Sequence, residues 1–352
     1  MTIRLMDCTL RDGSYAIDFS FSQKTTEELT ASLSQFGVPL IEVGHGAGIG
    51  ACKKLKPALE TDISYARAAQ KGVGDASWGM FAIAGLATPE EILSVRDEGM
   101  GFVRIGIDVD SLDSGIDTIS KISSSGIEIF VNFMKSYALP PSELVARAKK
   151  VLRNESVSGV YLVDSAGGML PDEVLRYADA MLELMPFAEL GFHGHDNLGL
   201  SVSNSILLAE NGFTLIDSTL QGLGRSSGNA PTERVVSSFL KLGLVSGYDL
   251  KALMRLSDRM VRPVIPFAGH SGLDTMAGYT LFHTSHMESL LRCAQERDVD
   301  PYDLMQRMCQ IDVANFNMSN LDLEAQILYK EGSRLRSPLP PDYYVGDEQR
   351  FV

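Results

Sequence analysis

Gly159-Val-Tyr-Leu-Val-Asp164, then Pro171–Met185, then Glu189-Leu-Gly-Phe-His193-Gly194 is the stretch whose reading decides the fold. The outer runs are short, apolar and rich in β-branched or aromatic residues, and read as strands. The middle segment opens with proline, whose missing N–H is harmless in a first helical turn. Strand, helix, strand is a parallel crossover unit. Working outward, the unit recurs. Strands are predicted at Ile3–Leu10, Val38–Gly44, Ser77–Ile83, Phe102–Ile107, Ile127–Met134 and Thr214–Ser218, making eight with the two above. Thr26–Phe36, Pro89–Glu98 and Ser142–Leu152 read as intervening helices. Eight units predict an α/β fold, a (β/α)8 TIM barrel over residues 1–245. An open doubly wound sheet is the rival.

Strand signals stop after Gly243. Leu250–Val261, Met287–Gln295, Pro301–Cys309 and Leu321–Lys330 read as helices, predicting a C-terminal helical appendage over 246–335. Ser337-Pro-Leu-Pro-Pro-Asp-Tyr-Tyr344 predicts an extended, Pro-rich tail over 336–352. Asp and Glu outnumber Lys and Arg by 45 to 31, giving a net charge of −14. That balance argues against nucleic acid and against an anionic membrane as partners. Cys8, Cys52, Cys293 and Cys309 form no C-x-x-C pair, and no apolar run approaches bilayer-spanning length. The expectation is a cytoplasmic protein with reduced thiols.

Five motifs carry chemistry. Asp7-Cys-Thr-Leu-Arg11-Asp12-Gly13 ends strand 1, and barrel active sites form at the C-terminal ends of strands. Strand alternation predicts that Asp7, Thr9 and Arg11 face inward and that Cys8 points away. Arg11–Asp12 also reads as a structural ion pair. His193-Gly-His195 ends strand 7, and His-x-His on a strand puts two imidazoles on one face, within reach of one cation. With Asp12 it predicts a two-His, one-carboxylate set with open positions. Gly222-Leu-Gly224-Arg-Ser-Ser-Gly228-Asn229 follows strand 8. It can hold phosphate, or place Asn229 at the metal. His45, in Val43-Gly-His-Gly-Ala-Gly48, reads either as a loop residue or as a base. Asp164-Ser165-Ala-Gly-Gly168 offers a hydroxyl and backbone N–H groups as a carboxylate cradle.

Together, Asp7-x-Thr-Leu-Arg11-Asp12-Gly13, His193-x-His195-Asp-Asn and Gly222-x-Gly-x-x-x-Gly-Asn229-x-x-x-Glu233 resemble the metal-dependent lyase superfamily of TIM barrels. It includes isopropylmalate synthases, hydroxymethylglutaryl-CoA lyases and 4-hydroxy-2-oxovalerate aldolases. Val43-Gly-His-Gly46, Asp164-Ser165-x-Gly-Gly168 and Gly228-Asn-Ala-Pro231 look most like the aldolase branch. The resemblance implies a class II pyruvate aldolase that makes or cleaves a 4-hydroxy-2-oxoacid from pyruvate enolate and an aldehyde. It implies Asp12, His193 and His195 as metal ligands, Arg11 as the charge facing the enolate, and Ser165 at the pyruvate carboxylate. The ion expected is Mn2+, with Mg2+ and Co2+ as alternatives. In that family the appendage contacts an aldehyde dehydrogenase, which makes such an enzyme an expected partner and a homo-oligomer a further one.

One position departs from the branch. The aldolases carry a His acid/base shortly after Arg-Asp-Gly-Ser, where this chain has Tyr15, and a Tyr near the start of the appendage, where it has His283. The expectation is either that the residue types have been exchanged, with Tyr15, His283 or His45 handling the proton, or that the aldehyde half of the reaction has changed. Lys135, after strand 5, reads as a solvated lysine or as a magnet for a second anionic group. Two other functions remain open: an acyl-CoA-using Claisen condensing enzyme of the isopropylmalate synthase type, and a non-catalytic barrel serving as a docking partner.

Overall fold

A computed structural model describes residues 2–108, 111–184, 187–265, 272–314 and 316–335. Eight parallel strands close into a barrel in chain order: β1 (Arg4–Asp7), β2 (Leu40–Val43), β3 (Ser77–Ile83), β4 (Phe102–Ile107), β5 (Glu128–Phe133), β6 (Val157–Asp164), β7 (Glu189–Gly194) and β8 (Leu215–Ser218). Closure comes from β1 pairing with β8, Arg4 opposite Leu215 through Asp7 opposite Ser218. That pairing rules out the open sheet. A principal helix follows each strand: α1 (Gln23–Gln35), α2 (Asp62–Gly72), α3 (Pro89–Arg96), α4 (Leu112–Ile122), α5 (Pro141–Val151), α6 (Pro171–Met181), α7 (Ser201–Glu210) and α8 (Thr232–Leu242). Proline opens α3, α5 and α6, as their sequences predict.

The main core lies between sheet and helices, where strand residues such as Ile41, Val103, Ile129 and Val160 meet Leu29, Ile92, Leu144 and Val174 of the helices. A smaller cluster fills the barrel interior: Met6, Cys8, Leu40, Phe102, Phe130, Tyr161, Val163 and Leu215. At its base, Arg4 bonds Glu128 and Glu189.

Strand β1 corrects the sequence reading in two ways. It ends at Asp7, because the N–H groups of Arg11, Asp12 and Gly13 all turn back to the Cys8 carbonyl, at 3.1, 2.8 and 3.3 Å. Alternation therefore does not carry on to Arg11. Its inward residues are Met6 and Cys8. Asp7 instead accepts from Thr232 Oγ1 of α8 at 2.7 Å, and Thr9 Oγ1 accepts from the Leu220 N–H at 2.7 Å.

Beyond the barrel come α9 (Leu250–Leu256), a π turn over Ser257–Val261, α10 (Gly272–Thr280), α11 (Met287–Arg297), α12 (Pro301–Ile311) and α13 (Met318–Glu331). Leu253, Leu256 and Val261 join the main core, whereas residues from Leu273 to Leu328 build a core of their own. The predicted tail over 336–352 lies outside the described residues. No helix among them is long and apolar enough to cross a membrane.

Candidate active site

Asp12 opens a short 3-10 turn after β1, His193 lies on β7, and His195 sits one residue past its end. All three are buried, and their ligand atoms lie within 4.8 Å of one another. His193 Nε2 is 3.8 Å from Asp12 Oδ2. Its Nδ1 donates to Asp217 Oδ2 at 2.8 Å, and His195 Nδ1 donates to the Gly228 carbonyl at 3.2 Å. Each ring thus keeps its Nε2 lone pair for the centre, the tautomer that a metal-binding imidazole needs.

Asn229 completes the rim. Its Nδ2 donates to Asp12 Oδ1 at 2.9 Å, while its Oδ1 is buried with no partner. A Cβ on Gly224 would stand 2.1 Å from Asn229 Nδ2 and 3.0 Å from Asp12 Oδ1, so glycine there is what lets this bond form.

A charged layer supports these groups. Arg11 donates to Asp12 Oδ2 at 2.5 Å and to Glu42 Oε2 at 2.6 Å. Arg104 holds both oxygens of Glu42, at 2.7 and 2.5 Å, and also bonds Asp217. Three carboxylates face two guanidinium groups, all with side chains at most 5% exposed, leaving one negative charge in excess. Buried charge of that kind calls for a counter-cation.

The protonation states suit a cation too. Burial raises the Asp12 carboxyl, but Arg11, the two histidines and the Asn229 bond outweigh it and hold Asp12 well below the usual carboxylate range. Glu42 is held at about 2, burial being opposed by Arg104 and Arg11. His195 is pushed down to about 3 by burial and Arg225, against the pull of Asp12. An ionised carboxylate, a neutral imidazole and an unpaired amide oxygen make a donor set for a hard-to-borderline divalent ion. Cys8, expected to point away, faces inward with Sγ 3.6 Å from Asp217 Oδ2. Burial, reinforced by Asp217, raises its thiol well above the usual range, so it supplies no thiolate.

The remaining candidates divide. Tyr15 is buried edge-on to Phe19, and Arg225 Cζ stands 5.9 Å from its ring centroid. Arg225 Nη2 lies 3.3 Å from His283 Nε2, and His283 Nδ1 pairs with Ser285 Oγ. Tyr15 and His283, distant in sequence, therefore meet the same guanidinium. Burial, then Arg225 and Lys135, hold the His283 imidazole well below its usual range. His45 lies beside this group, against the same Phe19 ring that Tyr15 meets edge-on. Its Nδ1 accepts from the Ala47 N–H and its Nε2 donates to the Lys56 carbonyl, both at 3.0 Å, and its ring stacks on Phe19.

Ser165 Oγ accepts from the Lys135 N–H at 3.0 Å. The nearby N–H groups of Gly168 and Met169 donate to the Asp164 carboxylate at 3.2 and 2.9 Å, so the chain's own carboxylate fills that part of the cradle. Lys135 reaches Asp108 Oδ2 at 3.1 Å and the Ala314 carbonyl at 3.2 Å, joining the barrel mouth to the appendage.

Glu42, Arg104, Asp217 and Arg225 carry no role in the sequence reading. Three of them had a legible signal: a lone charge inside Leu40-Ile-Glu42-Val43, Phe102-Val-Arg104-Ile105 and Leu215-Ile-Asp217-Ser218. Parallel strands covered on both faces should read as unbroken apolar runs, so each charge marks a demand from the interior.

The HMGL-like family model matches residues 2–260. The chain is 32% identical over 310 residues to 4-hydroxy-2-oxovalerate aldolase 2 of Rhodococcus jostii (strain RHA1), covering 87% of this chain and 89% of that protein. It is 31% identical over 304 residues to 4-hydroxy-2-oxovalerate aldolase of Thermomicrobium roseum, covering 86% and 85%. Among solved structures, the HMG-CoA lyase of Bacillus subtilis superposes with a TM-score of 0.64 at 19% identity, over 76% of this chain and 96% of that one. At that identity the likeness speaks to the fold.

Proposed function

We propose, from the premise that this chain belongs to the HMGL-like family, that it is a divalent-metal-dependent pyruvate aldolase, a carbon–carbon lyase acting on a 4-hydroxy-2-oxoacid. The observation that carries the reading is the buried Asp12–His193–His195 cluster with Arg11 bonded to its carboxylate and Asn229 Oδ1 unpaired beside it. Asp12, His193 and His195, with Asn229 completing or bridging the shell, would hold the ion. When bound there, a divalent ion supplies Lewis-acid polarisation of the 2-oxo oxygen. Mn2+ is the ion we favour, since two imidazoles with oxygen donors suit it and no thiolate is present.

The chain's own groups then divide the work. Arg11 neutralises the oxygen that becomes the enolate, its fork held rigid by Asp12 and Glu42. Ser165 binds the 2-oxoacid carboxylate. A base takes the proton from the C4 hydroxyl, the C3–C4 bond breaks, the aldehyde leaves, and the enolate is protonated at C3 to give pyruvate. We assign the C4 proton to the Tyr15–His283 pair rather than to His45, whose two ring nitrogens are both spent on backbone groups.

We also infer a docking role for the appendage. Ile311, Met318 and Leu323 are exposed there, which supports a protein partner such as a dehydrogenase that consumes the aldehyde, or a second copy of the chain. The four free cysteines suit the reducing cytoplasm.

The deciding assay is cleavage of 4-hydroxy-2-oxopentanoate, with pyruvate and aldehyde quantified separately, after chelator treatment and after Mn2+ is restored. Equimolar products that vanish with chelator and return with Mn2+ are expected. Neither cleavage nor pyruvate proton exchange under any divalent ion would defeat the reading.

A further inference from the structure

Arg104 stands in the middle of β4, wholly buried. Its Nε and Nη2 grip the two oxygens of Glu42 at 2.7 and 2.5 Å, its Nη1 bonds Asp217, and its Nη2 lies 3.3 Å from Cys8 Sγ. The rings of Tyr161 and Phe81 lie 5.1 and 5.9 Å from its Cζ. Both carboxylates that it holds pass the contact on. Glu42 accepts from Arg11 Nε at 2.6 Å, and Asp217 accepts from His193 Nδ1 at 2.8 Å. One guanidinium thus links the arginine assigned to the enolate with a histidine assigned to the metal.

A buried ionic cluster adds little stability over well-packed apolar side chains, which would fill this layer without desolvating charge. Its retention needs another reason, and geometry supplies one. Arginine offers five donors in a fixed plane, so it sets the spacing and tilt of two carboxylates at once. Lysine, a point charge on a flexible stem, sets neither.

We propose that Arg104 is a positioning residue shared by both halves of the site: through Asp217 it fixes the tautomer and tilt of His193, and through Glu42 it fixes the plane of Arg11. The inference rests on the metal-dependent pyruvate reading above.

Two readouts on the full-length protein test it. One is the affinity for Mn2+ alone, by titration calorimetry of metal-free protein. The other is hydrogen–deuterium exchange of the pyruvate methyl group by NMR at saturating Mn2+, with KM and kcat resolved. Arg104→Lys is expected to weaken Mn2+ binding by about 10-fold and to slow exchange by a similar factor, mainly in kcat. Asp217→Asn, close in shape, should lose Mn2+ affinity by about 10-fold or more, and Glu42→Gln should slow exchange. Arg104→Lys protein that behaves as wild type, or that changes in one readout alone, overturns the proposal. Should that variant not fold, normal Mn2+ affinity in Asp217→Asn or normal exchange in Glu42→Gln overturns it instead, since each removes one arm. Wild-type protein that neither binds Mn2+ nor exchanges pyruvate protons takes the functional reading down as well. Wild-type protein that does both, beside an unaltered Arg104 variant, sinks this inference alone.

Discussion

His193 Nδ1 and Asp217 Oδ2 lie 2.8 Å apart, and that contact decides which nitrogen of the imidazole is turned toward Asp12. Binding the ring at the rear costs His193 nothing at the front. The same logic holds for His195 and the Gly228 carbonyl, so two imidazole donors are oriented before any ligand arrives.

Metal retention should follow these residues. Protein loaded with Mn2+ and desalted is expected to keep about one ion per chain, measured by elemental analysis. Asp12→Asn and His195→Ala should each lose most of it, a fall in affinity of about 100-fold, since the first removes the charge of a direct ligand and the second the ligand itself. Equal content in all three proteins would show that the ion sits elsewhere.

Arg11→Lys should abolish both aldol cleavage and exchange of the pyruvate methyl protons, by about 10²–10³-fold, because the enolate oxygen is common to both reactions. It also breaks the fork that joins Asp12 to Glu42. Exchange at the wild-type rate would remove Arg11 from the enolate.

The Tyr15–His283 pair makes a sharper test. Burial and the Arg225 charge hold His283 below its usual range, so a catalytic His283 should place the acid limb of kcat/KM below pH 6.5. His283→Ala should then lose cleavage yet keep pyruvate exchange, while Tyr15→Phe should cost about 1 kcal/mol, the worth of one hydrogen bond. The opposite pattern, with Tyr15→Phe inactive and His283→Ala near normal, would give the proton to Tyr15.

Acid stability should report His195. Its folded-state value is about 3 against an ordinary 6.5. Between those values the unfolded chain takes up a proton that the folded chain refuses, so stability falls as pH drops from 6.5 toward 3. Asp7 and Asp164, both raised to about 6 by burial, act in the opposite sense between about pH 6 and 4, so the comparison must be with a variant. Metal-free wild type is expected to lose on the order of 3 kcal/mol more than His195→Gln between pH 7 and 4, by denaturant titration. Parallel pH curves would show that His195 is protonated well before pH 4.

Gly224→Ala should separate Asn229 from Asp12, because the new methyl would overlap Asn229 Nδ2. A loss of about 10-fold in Mn2+ affinity, with the barrel's circular dichroism unchanged, is expected. Unchanged affinity would place Asn229 outside the metal shell.

The barrel was legible because eight apolar runs alternate with helical spacing, and Ser77–Ile83, Phe102–Ile107 and Glu189–Gly194 match their predicted bounds. Helix α10 was missed, since Gly272–Thr280 includes glycine, threonine and tyrosine and little helical patterning. The Asp12–His193–His195 cluster was legible because each motif ends a strand, and strand ends of a barrel converge. The facing of Cys8 was not, because alternation fixes which residues share a face and not which face is interior: Asp7 turns outward to Thr232, and Met6 and Cys8 turn in. The Arg225 contact with Tyr15 and His283 was hidden for a different reason. It joins a loop, a 3-10 turn and the appendage across more than 200 positions, and no local period reports such a meeting.

Cys8 gives the barrel interior a clock. Its sulfur has no solvent exposure, its thiol is held protonated, and its neighbours are the Arg104 and Asp217 side chains. A small alkylating reagent can reach it only when the strands part, whereas Cys52 and Cys309 lie partly exposed. With Cys293, the other buried thiol, replaced by serine, the slow phase of labelling therefore reports the barrel's opening, with no probe added to the chain.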